Sequence, residues 1–257
     1  MHKHYIVLSS SYSLGERIAL DYVDITVEQA KRIVDLFDRI KHECGEGIAV
    51  SLHSVETEHS GWDSAVANDA YFKKVRLIED EEVFISLIKD DRQLSGLDVA
   101  KYILSTQIEC THLKLEKLVY LCYADYLCGT EGKKKLFVDD IYAYRYGPVI
   151  KSVYERYKIY GGEAIVAEQE YEERVIPARK YILSARSRIL FSEEGLLKIA
   201  SIMKTIKKYG DLSAGQLVDV THKKGSPWSH CDSAKTNNCI SDEKILKYHC
   251  VEEIKNS

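Results

Sequence analysis

Residues 111–129 read THLKLEKLVYLCYADYLCG, and residues 139–162 read DDIYAYRYGPVIKSVYERYKIYGG. In the first stretch Leu115, Leu118, Leu121, Cys122, Ala124 and Cys128 recur at three- and four-residue intervals, which predicts an apolar helix. Thr111 offers an N-cap hydroxyl, and Gly129 a C-terminal stop. In the second stretch Tyr146-Gly147-Pro148-Val149 reads as a turn followed by a helix. Pro148 then takes the first helical position, where a missing N–H costs nothing. Val149, Val153 and Tyr157 share one side of that new helix. This helix–turn–helix is the expected centre of a packed domain.

Working outward, the polar residues 89–95 (KDDRQLS) mark the best domain boundary. A helix opens after it on Leu97, Ala100, Ile103 and Leu104. Downstream, residues 162–191 fit a β-hairpin arm or a loose extension, with Pro177 at a turn or edge. A further helix is expected from Ser192 through Leu196, Ile199, Ile202 and Ile206. Ser213 and Gln216 form a capping box, with Leu212 and Leu217 as its hydrophobic staple. Pro227-Trp228 starts another short helix, and Ser241 caps a last one bearing Ile245, Leu246, Cys250 and Ile254.

Upstream, residues 4–10 (HYIVLSS) predict a strand, and Thr26 with Gln29 a capped helix carrying Ile33, Phe37 and Ile40 to a stop by Gly45. Residues 48–55 alternate as a second strand, 58–69 are rich in turn residues, 71–78 suggest a third strand and 81–88 a short helix. The fold class is therefore α+β: a small α/β module over residues 1–92, then a mainly helical domain over 96–257.

Composition narrows the function classes. The 257 residues carry a net charge of −4, with no apolar run of membrane-spanning length and too short an apolar N-terminus for a secretory signal, so the expected location is cytoplasmic. Seven cysteines without a C-x-x-C pair do not suggest a disulfide framework. Residues 1–95 hold 11 Lys/Arg against 18 Asp/Glu, a balance of −7, and the remainder carries +3. Such an acidic module either only keeps the chain soluble or docks on a basic partner, and it argues against nucleic acid as the ligand.

Catalytic signatures are weak. His222, His230, Cys231, Cys239, His249 and Cys250 are ligand types, but their irregular spacing does not fit a zinc site. Asp139 and Asp140 are adjacent and so point apart, which suits capping better than paired acid–base work. No nucleophile–base pair is placed together by the sequence, so no catalytic residue, cofactor or metal is expected. Tyr142, Tyr144 and Tyr146 alternate onto one strand face, with Tyr154, Tyr157 and Tyr160 following. These tyrosines fit either a core rim or a protein-binding surface, where tyrosine is enriched. Trp228 divides the same way, as packing anchor or contact residue.

Residues 97–104 (LDVAKYIL), 113–126 (LKLEKLVYLCYADY), 141–154 (IYAYRYGPVIKSVY) and 212–228 (LSAGQLVDVTHKKGSPW) together resemble the Panacea domain, the SocA/GepA-like antitoxin family, over roughly 96–230. The resemblance implies a mainly helical domain, usually encoded beside a toxin gene, that neutralises toxins by direct binding, among them small-alarmone-synthetase-type toxins. Two alternatives go with it: an adaptor delivering the toxin to an AAA+ protease, and the same surface reused in phage–host conflict. Carried over on motif positions, the partner-binding candidates are Tyr146, Gly147, Pro148, Thr221, His222 and Trp228; Tyr154 joins them on its own chemistry. The acidic module and residues 162–191 depart from the family pattern.

Overall fold

A computed structural model describes residues 1–165, 184–231 and 238–253. They form two compact units. One comprises Met1–Gln93 with Phe191–Glu193, and the other holds the described residues from Leu94 onward apart from 191–193.

The first unit is a four-stranded sheet in the order β3-β1-β2-β4. Strands β1 (His2–Ser11) and β2 (Glu16–Val23) pair antiparallel, with Val7 opposite Leu20. β3 (Ser51–Thr57) adds antiparallel to β1, and the short β4 (Val75–Leu77) adds parallel to β2. Both sheet faces are covered, which is why β1 carries the unbroken run Ile6-Val7-Leu8 rather than a polar alternation. Val7, Ile18 and Leu20 pack under helices α1 (Val27–Cys44) and α3 (Glu81–Arg92). Ile6, Leu8 and Ala19 pack with Ala65 of α2 (Trp62–Asn68) and with Phe72. The capping box of Thr26 and Gln29 is present at α1, and Gly45 ends that helix.

β2 has no counterpart among the expected strands, because Ala19 and Leu20 dilute its β signal. Residues 62–68, read as turn, are helical because Asp63 opens a first turn and Ala65 is fully buried in the core. The third strand shrinks to Val75–Leu77 behind a 3-10 turn, Ala70–Phe72.

The second unit is built around α5 (His112–Gly129), whose residues from Leu115 to Ala124 are all buried. α5 buries side chains on every side, the charged Glu116 and Lys117 among them, and it is wrapped accordingly. Around it lie α4 (Gly96–Ser105), the hairpin of β5 (Ile141–Tyr144) and β6 (Gly147–Ile150), and α6 (Lys151–Tyr157). The later helices α8 (Gly195–Tyr209), α9 (Ala214–Thr221) and α10 (Asp242–Tyr248) complete the shell, after a short α7 (Ala185–Phe191). Thr111, Ser213 and Ser241 cap their helices as expected, Ser213 in a full box with Gln216.

Three details depart from expectation. Pro148 does not start a helix. It lies in β6 opposite Ala143, since its fixed φ also suits an edge ribbon, and α6 begins only at Lys151. Gly129 stays helical, and the chain leaves α5 through Glu131 and Gly132, both at positive φ. Residues 185–191 are helical rather than part of a hairpin arm, and α8 starts at Gly195, not Ser192. The rest of the proposed arm, residues 166–183, lies outside the described residues, as does Ile254.

Candidate functional site

The motif positions singled out above converge on one element, the β5–β6 hairpin. Its register runs from Ile141 opposite Ile150 to Tyr144 opposite Gly147, leaving Arg145 and Tyr146 as the turn. Gly147 has φ +102°, and a Cβ there would lie 2.9 Å from Lys117 Cε, 3.0 Å from Thr221 Oγ1 and 3.2 Å from His222 Cε1. Only glycine meets both demands.

Two neighbouring charges on α5 hold β6 from beneath. Lys117, wholly buried, donates from Nζ to the Pro148 carbonyl at 2.8 Å. Glu116, also buried, accepts the Ile150 N–H at 3.0 Å through Oε2. Burial pushes the Glu116 carboxyl up, against the Ile150 N–H and the Lys117 charge, and pushes the Lys117 ammonium down, against Glu116. The other Glu116 oxygen, Oε1, has no hydrogen-bond partner and faces the similarly unpaired His112 Nε2 at 4.0 Å. Burial, with Lys117 nearby, lowers the His112 pKa.

The turn is held from the other side by the TH…PW residues. His222 lies with Nε2 3.2 Å from the Arg145 carbonyl and Nδ1 2.8 Å from the Val218 carbonyl. Trp228 donates its indole N–H to the Tyr144 carbonyl at 2.8 Å, and its ring meets the His222 ring at 3.7 Å. Thr221 is buried and bonds back to the Leu217 carbonyl, and Ser226 Oγ donates to the Thr221 carbonyl at 2.8 Å. Gly147, Pro148 and Thr221 are thus internal to the clasp, His222 and Trp228 half-buried, and Tyr146 is 58% exposed at its tip.

Outward from the clasp lies an aromatic face. Tyr144 and Tyr154 meet edge-on at 6.0 Å, and Tyr154 meets His112 at 5.1 Å. Tyr142 shares the strand face with Tyr144. Tyr157, by contrast, is fully buried. Asp139, one of the adjacent acids, accepts from the Gly96 N–H at 2.8 Å and from Ser152 Oγ at 2.6 Å, a tie between α4 and α6.

A second buried cluster, missed by sequence reading, sits elsewhere on α5. His249 bonds through Nδ1 to Glu252 at 2.6 Å and through Nε2 to Asp125 at 2.8 Å. Tyr120 donates to Glu252 at 2.9 Å and Thr205 to Asp125 at 2.7 Å. Burial opposes charge on His249, but the two carboxylates outweigh it and raise the imidazole to about 9. Burial also works to raise Asp125, yet the bonds from His249 and Thr205 hold it below its usual value. Burial raises Glu252. With both ring nitrogens bonded to carboxylates, His249 keeps no lone pair for a metal. Among the described residues no group of three or more His, Cys, Asp or Glu is arranged to hold one. No helix there is long and apolar enough to cross a membrane. The only sequence hint of this cluster was the ligand-type residues near the C-terminus.

The decisive comparison concerns this hairpin and its clasp. Residues 115–229 match the family model described as Antitoxin SocA-like, Panacea domain. The match opens on Leu115 inside α5 and closes just past Trp228, so it encloses the hairpin, Lys117, His222 and Trp228, while residues 97–104 fall outside it. No curated protein and no solved structure matches the chain. The likeness to the Panacea domain gives the clasp a reading in which fixing the Tyr144–Gly147 turn is what the motif residues have in common.

Proposed function

We propose that the protein is an antitoxin that neutralises a toxin protein by direct binding. The observation that carries this reading is the Panacea-domain match over the clasped hairpin, whose tip presents Tyr146 to solvent. A turn fixed by Lys117, His222 and Trp228 is pre-organised, so little ordering entropy is lost when a partner docks. In this reading residues 96–257 are the antitoxin domain and residues 1–92 an accessory module whose acidic balance suits a basic groove on the partner. Tyr146 and Tyr154 are the contact residues, while Gly147, Pro148, Thr221, His222 and Trp228 act by shaping the turn. Its expected place of action is the cytoplasm, and its action is non-enzymatic.

The test is co-purification of the tagged full chain with the product of the adjacent open reading frame. A one-to-one complex that survives gel filtration supports the reading. Toxin that disappears only when this protein is present, with no lasting complex, would favour delivery to a protease instead.

A further inference from the structure

The clasped hairpin carries cations as well as tyrosines. Lys151 Nζ lies 4.1 Å from the Tyr142 ring centre, Arg145 Cζ 5.4 Å from that of Tyr146, and Lys158 Nζ 5.8 Å from that of Tyr154. Lys158 is paired with Glu155. Arg145 and Lys151 are exposed and make no ion pair among the described residues. A cation resting on a tyrosine is held by the ring's negative face but keeps its charge, and its open side remains free for an anion. Two uncompensated cations on a tyrosine face therefore ask for a carboxylate-bearing ligand with apolar stems to lie across the rings.

We propose that the face made by Tyr142, Tyr144, Arg145, Tyr146, Lys151 and Tyr154 docks an acidic segment of the partner protein. Carboxylates of that segment meet Arg145 and Lys151, while the tyrosines cover its backbone and side-chain stems. The proposal rests on the direct-binding reading above and adds the chemistry of the occupant. A polynucleotide fits less well, because two free cations release few counterions and the chain as a whole carries −4.

The experiment is calorimetric titration of the full-length protein with the product of the adjacent open reading frame, at two salt concentrations. The variant is Arg145→Glu/Lys151→Glu, and the charge-matched control is Lys204→Glu/Lys207→Glu on α8. Circular dichroism accompanies each, with Arg145→Gln/Lys151→Gln as the substitute if the double glutamate fails to fold. The expected result is at least a tenfold rise in Kd for the hairpin variant, a change within twofold for the control, and a wild-type affinity that weakens with salt. A hairpin variant that binds within twofold of wild type overturns this docking face and leaves direct binding intact. Absence of wild-type binding overturns the direct-binding reading, and the docking face with it. Binding of a labelled 20-nucleotide RNA that the hairpin variant alone loses, with protein binding unaffected, overturns the acidic-peptide assignment in favour of nucleic acid.

Discussion

Lys117 donates from inside the core to the carbonyl of Pro148, 2.8 Å away, so a buried charge fixes the strand that follows the exposed turn. Its neighbour Glu116 holds the next free amide of the same strand, that of Ile150. Removing a hydrogen-bonded group at such depth leaves its partner buried and unsatisfied. Lys117→Met should therefore cost roughly 1.5–3 kcal/mol, because it leaves the buried Pro148 carbonyl without its charged donor and removes a positive charge near the Glu116 carboxyl. The double variant Glu116→Gln/Lys117→Met should lose less than the two single losses added together. Urea denaturation of the three variants measures this, and strict additivity would dissociate the pair.

Gly147→Ala should destabilise by roughly 2–4 kcal/mol, from the left-handed backbone and the overpacking against Lys117 and Thr221. A fall of several degrees in Tm is the readout. An unchanged Tm would mean the turn can relax away from the clasp.

Tyr146 and Trp228 separate shape from contact. Tyr146→Ala removes an exposed ring and should leave stability within about 0.5 kcal/mol while weakening partner binding. Trp228→Phe removes the donor to the Tyr144 carbonyl and should cost about 1–2 kcal/mol of stability. Thermal melts beside binding titrations check the contrast, which fails if Tyr146→Ala melts early or binds as wild type does.

The Asp125–His249–Glu252 cluster predicts a pH dependence. His249 is raised from 6.5 to about 9 in the fold, so the stability it contributes is complete below pH 6.5 and is lost as pH rises through 9. The raised Glu252 acts in the same direction, its penalty setting in as pH rises above its ordinary value of 4.5. Asp125, held low, contributes above its ordinary 3.8 and loses that contribution on acidification. Denaturant unfolding between pH 6 and 10 should show stability declining by up to about 3 kcal/mol from this site. His249→Gln should flatten that slope; a slope unchanged by the substitution would refute the assignment.

Much of this fold was legible where local chemistry and tertiary structure agree. Thr26, Thr111, Ser213 and Ser241 cap the helices their sequences advertise, and the apolar periodicity of 115–128 belongs to the central helix. Legibility failed where tertiary pairing decided. β2 carries Ala19 and Leu20 and becomes a strand by pairing with β1, and Pro148 is in β6 because Ala143 lies opposite it. The motif positions were visible as a set, but their division into a buried clasp and an exposed tip was not. That division depends on Lys117, a residue whose place on an apolar helix gives no sign that it reaches the Pro148 carbonyl. The His249 cluster was hidden for the same reason, since Asp125 and His249 lie 124 positions apart.

The central claim is tested most directly by growth of cells in which the adjacent open reading frame is induced, alone and together with this protein. The expected result is arrest on induction alone and recovery on co-expression, with both chains in one purified complex and recovery lost when the hairpin tip is altered by Tyr146→Ala. A neighbour that does not arrest growth, or an arrest that this protein fails to relieve while soluble and folded, would contradict it.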